Sequence, residues 1–124
     1  MPIIENASRQ VFTLPGMKHQ TLASASDSLK QLEVWMQTLE PGAATPPHYH
    51  ECEEILVILK GAGQFSVAGE SRDFGPGTTL VAASKVVHQV TNSGKEQMLL
   101  LAAFSETPAR AFSPNGNVIL LPWS

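Results

Sequence analysis

Residues 42–61 read GAATPPHYHECEEILVILKG, and the interpretation of the whole chain begins there. His48 and His50 are two positions apart, so on an extended strand both side chains point to the same side. Glu54 follows at the start of an apolar run, where a carboxylate could join the same group. His88 lies in the middle of the later run KVVHQVT and could supply a fourth ligand. A His-x-His pair on a strand is often structural, so on these residues alone a metal site and a structural role both stay open.

The sequence around these residues predicts an all-β protein. Short runs rich in Val, Ile and Leu alternate with Gly, Pro and Asn turns at the spacing typical of a sandwich or barrel. The predicted strands are 32–39, 54–60, 64–68, 78–82, 85–91, 97–104 and 118–121. Residues 25–30 could hold one helical turn. We therefore predict a single domain over residues 1–124, a small jelly-roll barrel whose core covers about residues 30–124, with an N-terminal arm over about residues 1–29.

Two of the predicted strands are apolar on both faces. Ile55 to Leu59 and Leu99 to Ala103 carry no polar side chain on either side. One face of each strand can fill the barrel, and the other must also leave water, under a second sheet or against a second subunit. This pattern predicts a homodimer that pairs through an apolar sheet face.

Composition excludes several classes of partner. The chain has 124 residues, is 43% hydrophobic and 15% charged, and carries a net charge of −3, so it has no basic surface suited to nucleic acid. The longest apolar run, Met98 to Phe104, is far short of the roughly 20 residues that span a bilayer. Cys52 is the single cysteine, so no internal disulfide is expected. Residues 1–5 lack the character of a signal peptide, and we expect a cytoplasmic protein with no membrane partner.

The metal-site residues resemble the two sequence motifs of the cupins. The first motif, G-x5-H-x-H-x3-E-x6-G, is matched in register by Gly42, His48, His50, Glu54 and Gly61. The spacing of the second, G-x5-P-x-G-x2-H-x3-N, is matched by Gly77, His88 and Asn92. Ala83 stands at the proline position and Lys85 at a glycine position, which alters a turn and leaves the ligands in place. The resemblance implies a cupin double-stranded β-helix with one divalent metal ion on His48, His50, Glu54 and His88.

A closer resemblance is to the plant auxin-binding proteins. Residues 48–54 (HYHECEE) and 57–63 (VILKGAG) are similar to the family pattern H-x-H-x-C-E-E…V-L-K-G-x-G. The likeness extends roughly from Gly16 to Trp123 and includes LEVWMQT at residues 32–38. The cysteine pair of that family is missing here, as are its secretory and retention signals, which points to a bacterial-type, cytosolic relative.

That resemblance implies zinc as the metal and a small aromatic acid as the ligand, with its carboxylate on the metal and its ring in an apolar pocket. The residues that match the pocket positions of the family are Trp35, Gln37, Thr45, Pro46 and Trp123. Trp35 and Gln37 share parity on their strand, so both can face inward. The alternative role for Trp35 is packing in the core. The alternative role for Trp123 is to close one end of the barrel. His19, the remaining histidine, is predicted to lie on the surface.

Two functions are compatible with this sequence. In the first, which we favour, the protein binds a small carboxylate and catalyses no reaction. In the second it is a metal-dependent cupin oxygenase or dioxygenase acting on a small organic acid or enol, and the metal is then Fe, Mn, Ni or Cu. Three His and one Glu suit any of these metals and disfavour Ca and Mg, which prefer oxygen ligands.

Overall fold

The regular secondary structure of the protein is almost entirely antiparallel β-strand, as seen in a computed structural model that describes residues 2–124. The strands are β1 (Phe12–Leu14), β2 (Met17–Ala23), β3 (Glu33–Leu39), β4 (Glu54–Lys60), β5 (Gly63–Val67), β6 (Glu70–Phe74), β7 (Thr78–Ala82), β8 (His88–Thr91), β9 (Met98–Phe104), β10 (Ala111–Phe112) and β11 (Val118–Ile119). Two 3-10 helices cover Asn6–Ser8 and Ala25–Asp27. Over the described residues, neither helix has the length or apolarity to cross a membrane. The all-β prediction is confirmed.

The strands form a larger and a smaller sheet. The larger sheet has the order β1-β2-β3-β9-β4-β7, and the smaller has the order β6-β5-β8, with β10 and β11 as a separate pair. The segment that precedes β4 joins β8 and β10 through three isolated bridges, which pair Ala44 with Thr91, His48 with His88, and Tyr49 with Phe112. Side chains from both sheets pack in one core, which includes Val90 of β8 and Leu56 of β4. The result is the jelly-roll arrangement that the sequence predicted.

The register of the larger sheet determines which residues face the barrel interior. β3 and β9 alternate strictly between buried and half-buried positions, as period-two strands with one inner face should. Phe104 pairs with both Glu33 and Glu54, so these two carboxylates lie on either side of it in one inward row. At the other end of the strands the inward row is apolar, with Leu39 opposite Met98. The inward carboxylates therefore lie at one end of these strands, which we call the polar end of the barrel.

The outward side of the same sheet is apolar. Its inner strands β3, β9 and β4 and its edge strand β7 present one contiguous patch, which we call the outer apolar face: Val34, Met36, Ile55, Val57, Leu59, Val81, Leu99, Leu101 and Ala103. Ile55 is 44% exposed, Leu59 47% and Val81 66%. The prediction that β4 and β9 are apolar on both sides is confirmed, and the outer apolar face is open to solvent in a single chain.

The barrel begins earlier in the chain than the sequence predicted. Residues 12–23 were assigned to an N-terminal arm, but β1 and β2 extend the larger sheet, with β2 paired along most of β3. β2 reads MKHQTLA, and its polar residues break the apolar alternation by which the other strands were identified. β6 was missed for a related reason. Its sequence ESRDF is polar because it is an exposed edge strand, paired only with β5.

Candidate metal centre

The four predicted metal ligands come together at the polar end of the barrel. His48 and His88 are paired across two strands by reciprocal backbone hydrogen bonds, 3.1 Å from His48 N to His88 O and 2.8 Å from His88 N to His48 O. His50 follows two residues after His48, and Glu54 opens β4. One ligand atom from each of the four residues lies within 4.8 Å of the other three. These residues form the one group of this kind in the part of the chain that the structure describes, and they are positioned to bind a metal.

Backbone carbonyl groups orient the three imidazole rings. In each histidine Nδ1 contacts a carbonyl oxygen: Pro46 O for His48 at 2.6 Å, Arg110 O for His50 at 2.7 Å, and Val86 O for His88 at 3.1 Å. A carbonyl oxygen only accepts, so each Nδ1 carries the proton and donates it. Each neutral ring therefore presents the lone pair of Nε2 to the centre of the group. This is the tautomer and orientation that metal-binding histidines take.

Three of the inward atoms are buried without a hydrogen-bond partner among the described residues. They are His50 Nε2, His88 Nε2 and Glu54 Oε1. Glu54 Oε1 lies 3.3 Å from His50 Nε2 and 3.0 Å from His88 Nε2. With Nδ1 already protonated, these are contacts between acceptors, which only a proton or a cation between them can stabilise. Buried polar atoms are seldom left unpaired in native proteins, and one metal ion would serve all of them together. The donor set fits such an ion.

The Glu54 carboxylate gives the site a negative charge. Burial raises the pKa of Glu54, but its interactions with His50 and His88 outweigh burial and lower that pKa to about 2. Burial, with the charge of His88 second, lowers the pKa of His48 to about 4. Burial also lowers the pKa of His50, but the nearby Glu54 carboxylate outweighs burial and raises that pKa overall. At neutral pH the group therefore holds a carboxylate anion beside an uncharged His48.

A cavity of about 70 Å³ adjoins the metal-binding group. All five residues predicted to bind ligand line it, together with the four metal ligands: Trp35, Gln37, Thr45, Pro46 and Trp123. The remaining wall is apolar and includes Met17, Ile119 and Leu121, which sequence reasoning missed. The Trp35 indole packs on Phe104 with ring centroids 4.3 Å apart, and its Nε1 donates to Glu33 Oε2 at 2.6 Å. The structure thus places the predicted pocket residues together, and their role in binding stays a prediction.

The prediction for His19 is wrong. This histidine was assigned to the surface, but it is 1% exposed and its ring stacks on Trp123 with centroids 3.6 Å apart and planes 10° apart. Burial lowers its pKa to about 3. The error follows from the missed strand β2, which places His19 opposite Gln37 of β3.

Comparison with known proteins agrees with this geometry. Residues 1–119 match the sequence profile of a family described as Auxin binding protein. Over 126 residues the chain is 35% identical to auxin-binding protein 1 of Arabidopsis thaliana, an alignment that covers 90% of this chain and 63% of that protein. The chain belongs to the auxin-binding protein family. It spans less than two thirds of the length of this Arabidopsis relative.

Solved structures share the fold of this auxin-binding family member. An RmlC-like cupin from Shewanella frigidimarina is 17% identical, with a TM-score of 0.73 over 83% of this chain and 88% of that one. An oxalate decarboxylase is 22% identical, with a TM-score of 0.77 over 88% of this chain and 31% of that one. At such identities the likeness is one of fold alone, and it confirms the predicted cupin fold.

Proposed function

We propose that this protein binds a small organic carboxylate, with the carboxylate group on a zinc ion held by His48, His50, Glu54 and His88. The observation that supports this proposal is the set of unpartnered acceptor atoms on His50, His88 and Glu54 beside an apolar cavity. Zinc suits three imidazole nitrogens and one carboxylate oxygen, and the auxin-binding resemblance also favours it. When bound, the ion supplies a positive charge and open coordination positions for an anionic group.

The residues that line the cavity indicate that an anionic ligand would need the metal in order to bind. A carboxylate that enters an apolar cavity without a counter-charge loses several kcal/mol of solvation. No lysine or arginine is found among the described residues that line the cavity. The Trp35 N–H group is occupied by Glu33, so it does not offer a hydrogen bond to a ligand. The metal is therefore the positive charge that can offset the cost of burying the carboxylate.

Calorimetry with indole-3-acetate tests this function on zinc-loaded and on metal-stripped protein. We expect binding to the loaded protein, and affinity at least about a hundredfold weaker after stripping, since an unpaired buried carboxylate costs several kcal/mol. In Trp35→Ala the loaded protein should bind about tenfold more weakly, because the aromatic wall is lost. Leu120→Ala is the matched control, since this side chain is 90% exposed and lies outside the cavity. Equal binding to loaded and stripped protein would contradict the proposal.

The cavity offers little support for acid–base catalysis. Apart from the four metal ligands, the described lining residues include no histidine, aspartate or lysine that could serve as a general base. His19 lies behind the wall, and with a pKa of about 3 it is a weak base. The oxygenase alternative is tested by oxygen uptake after loading with Fe(II), Mn(II), Ni(II) or Cu(II). Steady turnover of a small acid or enol would show that the protein is an enzyme and would contradict the proposal of simple binding.

We also propose that two chains pair through the outer apolar face. On this face Ile55 lies beside Val81 and Ala103, and Val57 lies beside Leu101, with no charged side chain between them. Exposed patches of this kind mark protein interfaces, and a two-fold pair can bury the same patch on both chains.

Light scattering at micromolar concentration is expected to give twice the mass of one chain. Ile55→Lys together with Val81→Lys should give the single-chain mass, because two charges would be buried in an apolar interface. Val118→Lys is the control, since Val118 is 60% exposed but lies on β11, away from the outer apolar face. A wild-type protein with the mass of one chain would contradict the dimer.

A further inference from the structure

His19 lies behind the cavity wall and packs between two tryptophans that line the cavity. Its ring stacks flat on Trp123, and it meets Trp35 edge-on with centroids 5.0 Å apart and planes 75° apart. The side chain is almost fully buried. Its position and ring plane are therefore fixed by packing, and the metal-binding group does not include it.

Both ring nitrogens of His19 have polar partners. Nδ1 lies 3.0 Å from Gln37 Nε2, and Nε2 lies 2.8 Å from Thr21 Oγ1. Because burial lowers its pKa to about 3, the ring is neutral at pH 7 and has one donor and one acceptor. An amide nitrogen only donates, so Nδ1 accepts from Gln37 and the proton is on Nε2. Nε2–H then donates to the Thr21 hydroxyl oxygen. The hydrogen bonds run in one direction, from Gln37 through His19 to Thr21.

This direction determines which amide atom Gln37 presents to the cavity. Its nitrogen is turned to His19, while its oxygen receives no hydrogen bond from residues 2–124. Gln37 lines the cavity, so its oxygen is available there as an acceptor for a ligand. A ligand that covers this oxygen without offering it a donor would leave a buried acceptor unpaired, at a cost in free energy that a ligand with a matching donor avoids.

We propose that His19 and Thr21 hold the Gln37 amide so that its oxygen selects ligands with a hydrogen-bond donor on the ring as well as a carboxylate. This inference rests on the proposed function, which puts the carboxylate on the metal. His19 and Thr21 do not touch the ligand. They are positioning residues, and Gln37 is the residue that makes the contact.

Two matched ligands test the selection on zinc-loaded protein. Indole-3-acetate and 1-benzofuran-3-acetate differ at one ring position, which is an N–H group in the indole and an oxygen atom in the benzofuran. We expect the wild-type protein to bind the indole at least about tenfold more tightly. In Thr21→Val the Nε2–H group of His19 loses the hydroxyl oxygen that accepts its hydrogen bond. The ratio of the two affinities should then fall to near one. Thr21→Ser keeps the hydroxyl and should keep the ratio, and His19→Phe keeps the stacking on Trp123 and should lose the ratio.

The outcomes separate this inference from the proposed function. Equal affinity of wild-type protein for the two compounds, or tighter binding of the benzofuran, overturns the selection and leaves carboxylate binding intact. Failure of both compounds to bind overturns the proposed function and the selection together. The orientation is also tested without any ligand, by long-range 1H–15N spectra of the histidine ring. We expect the Nε2–H tautomer for His19, and the Nδ1–H tautomer would overturn the inference whatever binds.

Discussion

Replacing His88 with alanine is expected to lower the affinity for zinc by about a thousandfold or more. The substitution removes a direct nitrogen ligand, and loss of an outer partner alone typically costs 10–100-fold. It also removes His88 Nε2, which lies 3.0 Å from Glu54 Oε1 in the native protein. Competition with a chromophoric chelator measures the affinity, and metal analysis after dialysis against a chelator measures the occupancy. The fold should persist, because the core on β3, β4 and β9 does not depend on the metal, and circular dichroism can verify this.

Two adjacent glutamates supply the matched control for this prediction. Glu54→Gln removes the one anionic ligand and should weaken zinc binding strongly, because the pKa of Glu54 is about 2 and the native group is charged. Glu53→Gln makes the same chemical change on an exposed side chain one residue away and should leave zinc affinity within about twofold. Full zinc occupancy in His88→Ala after dialysis would refute the ligand assignment, as would equal losses in the two glutamine variants.

Replacing Glu33 with alanine is expected to destabilise the protein by about 4 kcal/mol. This buried carboxylate accepts from Trp35 Nε1 at 2.6 Å, from Thr107 Oγ1 at 2.7 Å and from Ala109 N at 3.3 Å. Alanine would leave three donors without a partner, and each such donor costs roughly 1–3 kcal/mol when buried. Urea unfolding followed by fluorescence and circular dichroism gives the difference in the free energy of unfolding.

Glu33 also affects the metal centre through the backbone. It holds Ala109, and the next residue, Arg110, supplies the carbonyl oxygen that orients His50. Zinc affinity in Glu33→Ala should therefore fall by about tenfold even where the protein is folded. Glu96→Ala changes an exposed glutamate and should alter the free energy of unfolding by less than about 0.5 kcal/mol. A Glu33→Ala protein as stable as Glu96→Ala would contradict the role given to this carboxylate.

The residues that are positioned to bind a metal could be found from the sequence because their signal is local. His48 and His50 needed only the alternation of a strand, Glu54 the start of the next apolar run, and His88 the middle of a later one. The groups that orient these ligands were not predictable. The carbonyl that fixes His50 belongs to Arg110, which lies 60 residues further along the chain. A sequence pattern carries no sign of which carbonyl will reach a ring across the barrel.

The wall behind the pocket was missed for the same physical reason. His19 became a buried residue because Trp123, at the other end of the chain, stacks on it and because Gln37 and Thr21 satisfy its nitrogens. The Gln37 contact depends on β2 pairing with β3, and β2 has no clear apolar alternation. Trp35 and Gln37 were placed correctly on the inner side of β3 because their shared parity needs no knowledge of the partners.

The use of backbone carbonyls to orient the histidines bears on how such a site can change during evolution. The three carbonyls belong to Pro46, Val86 and Arg110, and a residue keeps its carbonyl whatever side chain it carries. Substitutions at these positions can reshape the rim of the cavity while the ring tautomers stay as they are. In a site oriented by carboxylate side chains, the same substitutions would disturb the metal. In proteins with this arrangement, substitutions can change which small ligand is bound while the orientation of the histidines stays the same.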